Sequence, residues 1–301
     1  MVAFGRGTPD AVEPGDPSPV TRRSLTPVLL LAPAILLFLL FFVAPLVTLG
    51  INSFSDDGRM TGIAGVFTLG NHQLPWRDGY YLAIIGRTFR LSGTVAVVSL
   101  LVGYPVALYL LVASARARSL VIALILSPLL ISVVARTFGW AIILGQDGLL
   151  ASAFAAIGIP GMAFPHTEAA VVVGLVNVLT PFVVLAVAAS LQAMDPAVPL
   201  AASSMGAGPL RVLWKIILPL SLPGITAGVL IVFGLASASF VTPAVLGGAQ
   251  FEVLSVVMYQ QAMVLRNWPF AAAIAVTLLV ILLIAQGARA GLAERSRTMP
   301  L

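Results

Sequence analysis

Long apolar runs separated by short polar segments extend over most of the 301-residue chain. A helix that crosses the hydrocarbon core of a membrane, roughly 30 Å thick, needs about 20 apolar residues. Six stretches of the chain meet this requirement with few or no charges inside them. The pattern therefore predicts six membrane-spanning helices, at about 27–51, 91–115, 119–144, 169–194, 223–246 and 268–287.

The first apolar run, 27–51, is longer than the apolar core of a cleaved secretory signal, which has roughly 7–15 residues. We therefore expect it to remain in the membrane as an anchor. The preceding segment is rich in proline, glycine and charge, a composition typical of disordered tails. The sequence thus predicts a disordered cytoplasmic tail at 1–26, a transmembrane domain at 27–288 and a second cytoplasmic tail at 289–301.

The composition excludes an ordinary soluble protein. Hydrophobic residues make up 59% of the chain and charged residues only 9%, whereas soluble domains carry roughly 25% charged residues. The formal net charge of +5 is spread thinly between apolar runs, whereas a nucleic-acid-binding protein would cluster it in a patch. We therefore expect the lipid bilayer, and no nucleic acid, as a partner. The chain contains no cysteine, which excludes disulfides and thiol chemistry.

Lysine and arginine favour the cytoplasmic segments of membrane proteins. With six spans and an internal N-terminus, the predicted cytoplasmic group is Arg6, Arg22, Arg23, Arg116, Arg118, Arg211, Lys215, Arg289, Arg295 and Arg297. The predicted outer group is smaller and consists of Arg59, Arg77, Arg87 and Arg266. This asymmetry predicts a multi-pass protein of the cell (inner) membrane with both termini in the cytoplasm.

The residue patterns of common enzyme sites are missing. The two histidines, His72 and His166, lie in predicted outer loops, and no His-Glu-x-x-His, Gly-x-x-x-x-Gly-Lys or dinucleotide-binding motif is present. We therefore expect no enzyme activity, no metal and no cofactor. No acidic residue lies within the predicted spans. Because ion-coupled carriers generally use intramembrane carboxylates, this pattern disfavours a secondary carrier without excluding one.

The connection between the fourth and fifth spans, 192–221, is long for a turn between helices. Asp195 is placed to cap a helix that begins with Pro196. Gly206 and Gly208 flank a break, after which Pro209 can begin a second helix. The apolar residues that share one face of this second helix are Leu210, Leu213, Trp214 and Ile217. The pattern predicts two short helices that bind lipid or a partner protein.

Six residues in this connection follow a fixed spacing: Ala201, Ala202, Gly206, Ile216, Leu218 and Pro219. The spacing resembles the Glu-Ala-Ala loop of ABC importer permeases, whose pattern is Glu-Ala-Ala-x3-Gly-x9-Ile-x-Leu-Pro. Leu200 occupies the position of the family's glutamate, so the contacts of that glutamate are absent or replaced. In the family this loop inserts into a cleft on a separate ATPase subunit and transmits its closure. The resemblance implies the same role for residues 193–220, Leu213 included, which we call the coupling loop.

Other motifs resemble the polyamine-type branch of the same family. They are Gly-Tyr-Pro at 103–105, Arg-Thr-Phe-Gly-Trp at 136–140, Gly-Gln-Asp-Gly at 145–148, and the segments 240–248 and 267–273. The resemblance covers about 29–287 and implies an all-α, polytopic fold of the type I ABC importer permease kind. It also implies three kinds of partner: ABC ATPase subunits that hydrolyse the ATP, a second homologous permease subunit, and an extracytoplasmic solute-binding protein.

Five residues are candidates for the walls of a translocation pathway: Arg136, Trp140, Asp147, Asn177 and Pro243. Arg136 is the only charge inside a predicted span, where a charge is costly. It is either a gate residue or, as we favour, a structural residue held by Trp140 or by backbone carbonyls. Asp147 could meet a cation, although turn formation explains it better. Asn177 and Pro243 either free backbone carbonyls toward a pathway or mark packing kinks.

These observations together predict a permease subunit of an ATP-binding-cassette importer. The expected cargo is a small solute, either a polyamine such as spermidine or putrescine or a related organic solute. Two other classes remain open: a secondary carrier, and a membrane scaffold that binds partners without moving a solute.

Overall fold

The computed structural model describes residues 26–56, 67–157 and 166–297, and within these ranges the side chains from residue 31 to residue 287. Helices account for most of these residues, and the only β pairing among them is an isolated bridge between Ser55 and Phe67. The α-helices are α1 (Thr26–Phe38), α2 (Ala44–Ser53), α3 (Gly70–Arg77), α4 (Gly79–Val112), α5 (Ala115–Leu130), α6 (Val133–Leu144), α7 (Leu149–Ala156), α8 (Glu168–Gln192), α9 (Ala197–Ser204), α10 (Pro209–Val212), α11 (Leu218–Ala238), α12 (Leu254–Tyr259) and α13 (Trp268–Arg297). Short turns of other helical types are π-helical at Leu39–Val43, Leu213–Ile217, Pro243–Gly247 and Gln260–Val264, and 3-10 at Gly248–Gln250.

The predicted tails lie partly outside the described residues. Helix α1 begins at Thr26, and the rest of the predicted tail 1–26 is not described. Helix α13 continues to Arg297, so much of the predicted tail 289–301 is helical. The chain divides into two units, 1–47 and 48–301. The first holds α1, the π-helical turn Leu39–Val43 and the start of α2.

Six helical segments among the described residues are long and apolar enough to cross a membrane, which confirms the predicted number. They are Leu31–Ser53, Gly79–Val112, Val133–Ala156, Glu168–Gln192, Pro209–Ala238 and Trp268–Gly287. The second begins at Gly79 rather than near residue 91, because Asp78 caps it. The Oδ1 atom of Asp78 accepts a hydrogen bond of 2.9 Å from the backbone N–H of Tyr80. Arg87 and Arg90, which the hydropathy pattern leaves outside the span, therefore lie on this helix.

The fifth span runs from Pro209 to Ala238 as one continuous helical segment, whereas the sequence predicts 223–246. Pro219 lies inside it and directly follows the π-helical turn Leu213–Ile217 and one α-helical residue. A proline ring clashes with the carbonyl four residues before it in a regular α-helix. Because a π-helical turn locally widens the helix, the segment continues through Pro219 without ending.

Helices α4 and α8 lie side by side and run in the same direction. Near their N-terminal ends, Arg90 Nε donates a hydrogen bond of 3.2 Å to Glu168 Oε1. Further along, Gly103 lies against Thr180, whose Cγ2 would be 3.4 Å from a Cβ at position 103. Contacts therefore keep the same order along both helices, which requires a parallel pair.

Helix α11 packs against both helices in the opposite direction. Ser237 Oγ, near its C-terminus, donates a hydrogen bond of 2.8 Å to Ser92 Oγ on α4. Near its N-terminus, Ser221 Oγ lies 3.2 Å from the Tyr104 hydroxyl, further along α4. The bundle therefore has a loop end, where the coupling loop 193–220 meets α8 and α11, and a far end, where α4 and α8 begin.

Two glycines on α11 bring its backbone close to α8. A Cβ built on Gly224 would lie 2.6 Å from the Ala186 carbonyl oxygen and 2.6 Å from Ser190 Cβ. A Cβ on Gly228 would lie 3.0 Å from Val183 Cα. Helices in membranes associate through small residues that permit such approaches. The contact fixes α11, and with it the root of the coupling loop, against the bundle.

After α11 the chain returns to the start of α4. The backbone N–H of Leu254 donates a hydrogen bond of 2.9 Å to Thr88 Oγ1, which is buried. Ser255 Oγ donates a bond of 2.6 Å to the Ser239 carbonyl. The first bond holds the segment 239–265, which contains α12, against α4 at the far end of the bundle, and the second closes the segment on itself.

Candidate functional site

The coupling loop begins with a capped helix, as the sequence predicts. Asp195 Oδ1 accepts a hydrogen bond of 2.9 Å from the backbone N–H of Ala197, the first residue of α9. Side-chain acceptors of this kind satisfy N–H groups that have no partner inside the helix. Ala201 and Ala202 lie on α9, and Ala202 is buried.

Gly206 ends α9 with a Schellman motif. Its φ angle is +84°, in the left-handed region that favours glycine. Its backbone N–H donates to the Ser203 carbonyl at 3.0 Å, and the N–H of Ala207 donates to the Ala202 carbonyl at 3.1 Å. This pair of bonds defines the motif. Gly206 therefore sets the angle at which the chain leaves α9.

The second half of the loop differs from the prediction of a separate short helix. Helix α10 begins with Pro209 at its first turn, as predicted, but continues through the π-helical turn Leu213–Ile217 into α11. The predicted coupling residues Leu213, Ile216, Leu218 and Pro219 all lie on this continuous segment. The loop is therefore one short helix, α9, folded back on the extended N-terminus of the fifth span.

The two arms of the loop contact each other and leave an apolar outer surface. Helix α9 packs against α10 and the π-helical turn, and Ala202 and Val212 are buried in these arms. Four apolar side chains on the loop are 65% to 82% exposed: Leu200, Met205, Leu210 and Trp214. Leu200, at the position of the family's glutamate, is thus available to a partner.

Arg136 lies beside a break in the third predicted span. The sequence predicts one helix over 119–144, but α5 ends at Leu130 and α6 begins at Val133. Ile131 has an extended backbone with φ −90° and ψ +140°. Arg136 Nη1 donates to the carbonyl of Pro128 and, at 3.4 Å, to that of Ile131. Because the last carbonyls of a helix have no partner inside it, Arg136 supplies donors where α5 ends.

We expect Arg136→Leu to destabilise the folded protein by about 1–3 kcal/mol, because it removes the arginine donor from the Ile131 carbonyl and leaves the Pro128 carbonyl only the 3.4 Å bond from the Ile131 N–H. The measurement is the thermal unfolding of the detergent-solubilised protein. Arg116→Leu is the matched control, since Arg116 is exposed on α5 and such changes usually stay within about 0.5 kcal/mol. Equal destabilisation by the two substitutions would contradict a structural role for Arg136.

Three elements meet on the inner side of α6. Thr137 Oγ1, next to Arg136, lies 3.4 Å from Thr242 Oγ1, next to Pro243. A Cβ at Gly174 on α8 would lie 2.9 Å from Thr242 Cγ2. The structure thus brings α6, α8 and the π-helical turn Pro243–Gly247 together. Gly174 permits this close approach because it has no side chain.

The other predicted pathway residues differ in how far their side chains are buried. Asn177, one turn beyond Gly174 on α8, is half-buried and makes no hydrogen bond through its side chain to any described residue. Trp140 packs against a cluster of buried apolar side chains that includes residues of α4, α8 and α11. Pro243 is buried. Asp147 is exposed in the turn after α6 and lies apart from them. A role in the pathway stays a prediction for all of these residues.

A polar cluster at the far end was missed by the sequence reasoning. The Tyr80 hydroxyl donates a hydrogen bond of 2.6 Å to Glu252 Oε2, and Gln260 Nε2 donates one of 3.1 Å to Glu252 Oε1. Arg87 Nη1 donates to the backbone carbonyl of Glu252 at 3.2 Å, and its guanidinium lies 5.5 Å from the ring centroid of Phe251. The cluster joins α4 to the segment 239–265.

A signal for this cluster is present in the sequence. Glu252 is the only charged residue between Lys215 and Arg266. It lies just beyond the predicted fifth span, so the hydropathy pattern places it in a loop rather than in the bundle. Among the described residues, no group of three or more histidines and acidic residues could hold a metal ion.

Curated relatives share most of this chain's length. The spermidine/putrescine transport system permease protein PotB of Haemophilus influenzae is 30% identical over 249 residues, which cover 81% of this chain and 86% of the relative. PotB of Escherichia coli K12 is 30% identical over 248 residues, covering 82% and 90%. The inner membrane ABC transporter permease protein YdcU of Escherichia coli K12 is 26% identical over 271 residues, covering 85% of each chain. No family model matches the sequence.

Solved structures share the fold. A chain from the crystal structure of a bacterial alginate ABC transporter, in complex with an alginate pentasaccharide-bound periplasmic protein, superposes with a TM-score of 0.75. The match covers 93% of this chain and 98% of that one at 19% sequence identity. A second alginate ABC transporter chain gives a TM-score of 0.67 at 21% identity, covering 89% and 96%.

The relatives and the fold agree with the six apolar helices. Identity of 30% extends over more than four fifths of the chain. The structural matches include nearly the whole of each solved chain, so the all-α polytopic fold is shared as a whole. The chain therefore belongs to the PotB family of multi-pass ABC transporter permease proteins.

Proposed function

We propose that this chain is the permease subunit of an ATP-binding-cassette importer that carries polyamines of the spermidine and putrescine class across the inner membrane. The observation that carries the proposal is the coupling loop: α9 is folded on a segment that continues without a break into the core helix α11. The cargo follows from the names of the PotB relatives, which match this chain over more than four fifths of its length.

The proposed mechanism is alternating access driven from the loop end. Two ATPase subunits clamp on binding ATP and displace α9, and the displacement reaches α11 through the continuous helical segment from Pro209. Helix α11 packs against α8 through Gly224 and Gly228, so its movement reorients the bundle. The ATPase must bind the loop differently in its two states, because a partner without differential affinity shifts no equilibrium.

The partners follow from this arrangement. We propose that the loop end and both termini face the cytoplasm, where the ATPase subunits lie and hydrolyse the ATP. The far end then faces the extracytoplasmic binding protein that delivers the solute. A second homologous permease subunit completes the pathway. In this assembly the chain itself performs no catalysis and holds no cofactor.

Uptake of radiolabelled spermidine into proteoliposomes tests the proposal. The complete assembly of this chain, its permease partner, ATPase and binding protein is compared with an assembly whose ATPase cannot hydrolyse ATP. We expect uptake from the complete assembly alone. Uptake that continues without hydrolysis, driven by an ion gradient, would instead identify a secondary carrier. A membrane scaffold would give no uptake in either preparation.

A further inference from the structure

The carboxylate of Glu252 has neutral hydrogen-bond partners. It accepts from the Tyr80 hydroxyl and the Gln260 amide. Within the described ranges, the one ion pair closer than 4.0 Å joins Arg90 and Glu168, so no described cation pairs with the Glu252 carboxylate. An ionised carboxylate offers about four lone-pair positions. Two of them are filled here, which leaves lone pairs on the carboxylate for a further donor.

Arg87, on α4, bonds to the backbone of Glu252 and makes no ion pair within 4.0 Å of its carboxylate. Arg87 donates to the backbone carbonyl of Glu252, and its guanidinium lies over the ring of Phe251. Both contacts hold the backbone of the segment 239–265 against α4. Arg87 therefore fixes the position of Glu252 without neutralising its side chain through an ion pair.

An aromatic side chain contacts this carboxylate directly. The Tyr80 hydroxyl is one of its two donors, and the Tyr80 ring packs edge-on against Tyr81, with ring centroids 5.1 Å apart. The side chain of Tyr80 is about half exposed. A carboxylate beside an accessible aromatic ring is a combination that binds alkylammonium groups, through charge-assisted hydrogen bonds and cation–π contacts.

The cluster also lies where a cargo would enter. It joins the first turns of α4 to the start of α12, at the far end of the bundle. Glu252 and Gln260 are half-buried, so the carboxylate is accessible while part of its surroundings excludes water. A lower local dielectric strengthens the attraction between a carboxylate and an ammonium group.

We propose that Glu252, together with Tyr80 and Gln260, forms a binding site for one ammonium group of a linear organic polycation entering the bundle. Glu252 supplies the counter-ion, and the exposed part of the Tyr80 ring contacts the alkyl chain. Naming a polyamine as this cation rests on the proposed function, whereas the existence of a cation site does not.

The first experiment replaces Glu252 by glutamine in the full assembly supplied with saturating, spermidine-loaded binding protein. We expect Glu252→Gln to lower spermidine uptake about tenfold or more, the scale of one lost charged hydrogen-bond pair. ATP hydrolysis stimulated by the binding protein should stay within about twofold of the unsubstituted assembly, because the coupling loop is untouched. Glu168→Gln, a carboxylate at the same end whose partner is the exposed Arg90, should leave both rates nearly unchanged. Unchanged uptake in Glu252→Gln would overturn the proposal.

The second experiment needs no transport. Because the chain lacks cysteine, Gln260→Cys introduces a single thiol close to the carboxylate. A cationic thiol reagent should label it about tenfold faster than an anionic one, and Glu252→Gln should remove this preference. Spermidine should slow the cationic reagent, and an uncharged diol of similar length should not. Equal rates for both reagents would disprove the cation site. Clear charge selectivity without ATP-driven spermidine uptake would retain the site and reject the proposed function.

Discussion

Replacing Gly206 by valine is expected to lower ATP-driven uptake by about tenfold or more. The φ angle of Gly206 is +84°. For a residue with a Cβ, the left-handed region costs roughly 1–2 kcal/mol in conformational free energy, and more when the residue is β-branched. This cost would reduce the population of the native loop by a factor of about 5–30. The two Schellman hydrogen bonds that end α9 would be lost with it, and the ATPase would meet a misaligned helix. The measurement is spermidine uptake by the complete assembly.

Gly206→Asn is the matched control, since asparagine tolerates positive φ far better than valine does. It should retain most of the uptake. No heavy atom lies within 4 Å of a Cβ built at position 206, so neither variant creates a clash inside this chain. Membrane insertion should therefore be similar for both. If valine and asparagine lowered uptake equally, backbone geometry could not be the reason for glycine at this position.

Gly224→Ala is expected to destabilise the folded chain by about 1–3 kcal/mol, the usual cost of overpacking a core. The added Cβ would lie 2.6 Å from the Ala186 carbonyl oxygen and from Ser190 Cβ. Neither atom is the end of a flexible side chain, so α8 and α11 must separate. The measurement is the free energy or midpoint of unfolding in detergent. Uptake should fall as well, because α11 carries the motion of the coupling loop.

The control for this prediction lies on the same helix. Gly234→Ala makes the same chemical change, but its nearest atom would be Gln286 Nε2 at 3.9 Å, an ordinary contact. Alanine is favoured over glycine inside a helix by about 0.8–1 kcal/mol, so this variant should be as stable as the natural chain or more stable. A comparable loss of stability at both positions would show that the close contact between Gly224 and α8 is not the reason why Gly224→Ala destabilises the protein.

The apolar outer surface of the coupling loop includes the position at which the family has a glutamate. Leu200 replaces the family's glutamate, and it is exposed together with Met205, Leu210 and Trp214. Sequence spacing located this loop because capping, glycine placement and apolar periodicity are local properties. The continuous helix through Pro219 was not predicted, because a single π-helical turn, which has no clear sequence signal, allows it.

The contacts of Arg136 were predictable from the sequence only in part. The sequence indicated that an intramembrane arginine needs carbonyl or aromatic contacts, and the structure supplies carbonyls. The helix break that frees those carbonyls was not predicted, since the run 119–144 is long and hydrophobic overall, with Arg136 as its only charged residue. Hydropathy reports whether a segment fits the membrane and is insensitive to a two-residue extended turn within it.

The sequence by itself determined the number of membrane helices and the family pattern, because length, hydropathy and spacing act over short stretches of chain. Only the tertiary structure decided which helices form the centre of the bundle and which side chains meet at its far end. Tyr80 and Glu252, the clearest example, are 172 positions apart in the sequence and share a hydrogen bond of 2.6 Å. Such contacts depend on the packing of α4 against the returning segment 239–265, and packing is set by the shapes of surfaces that lie far apart along the chain.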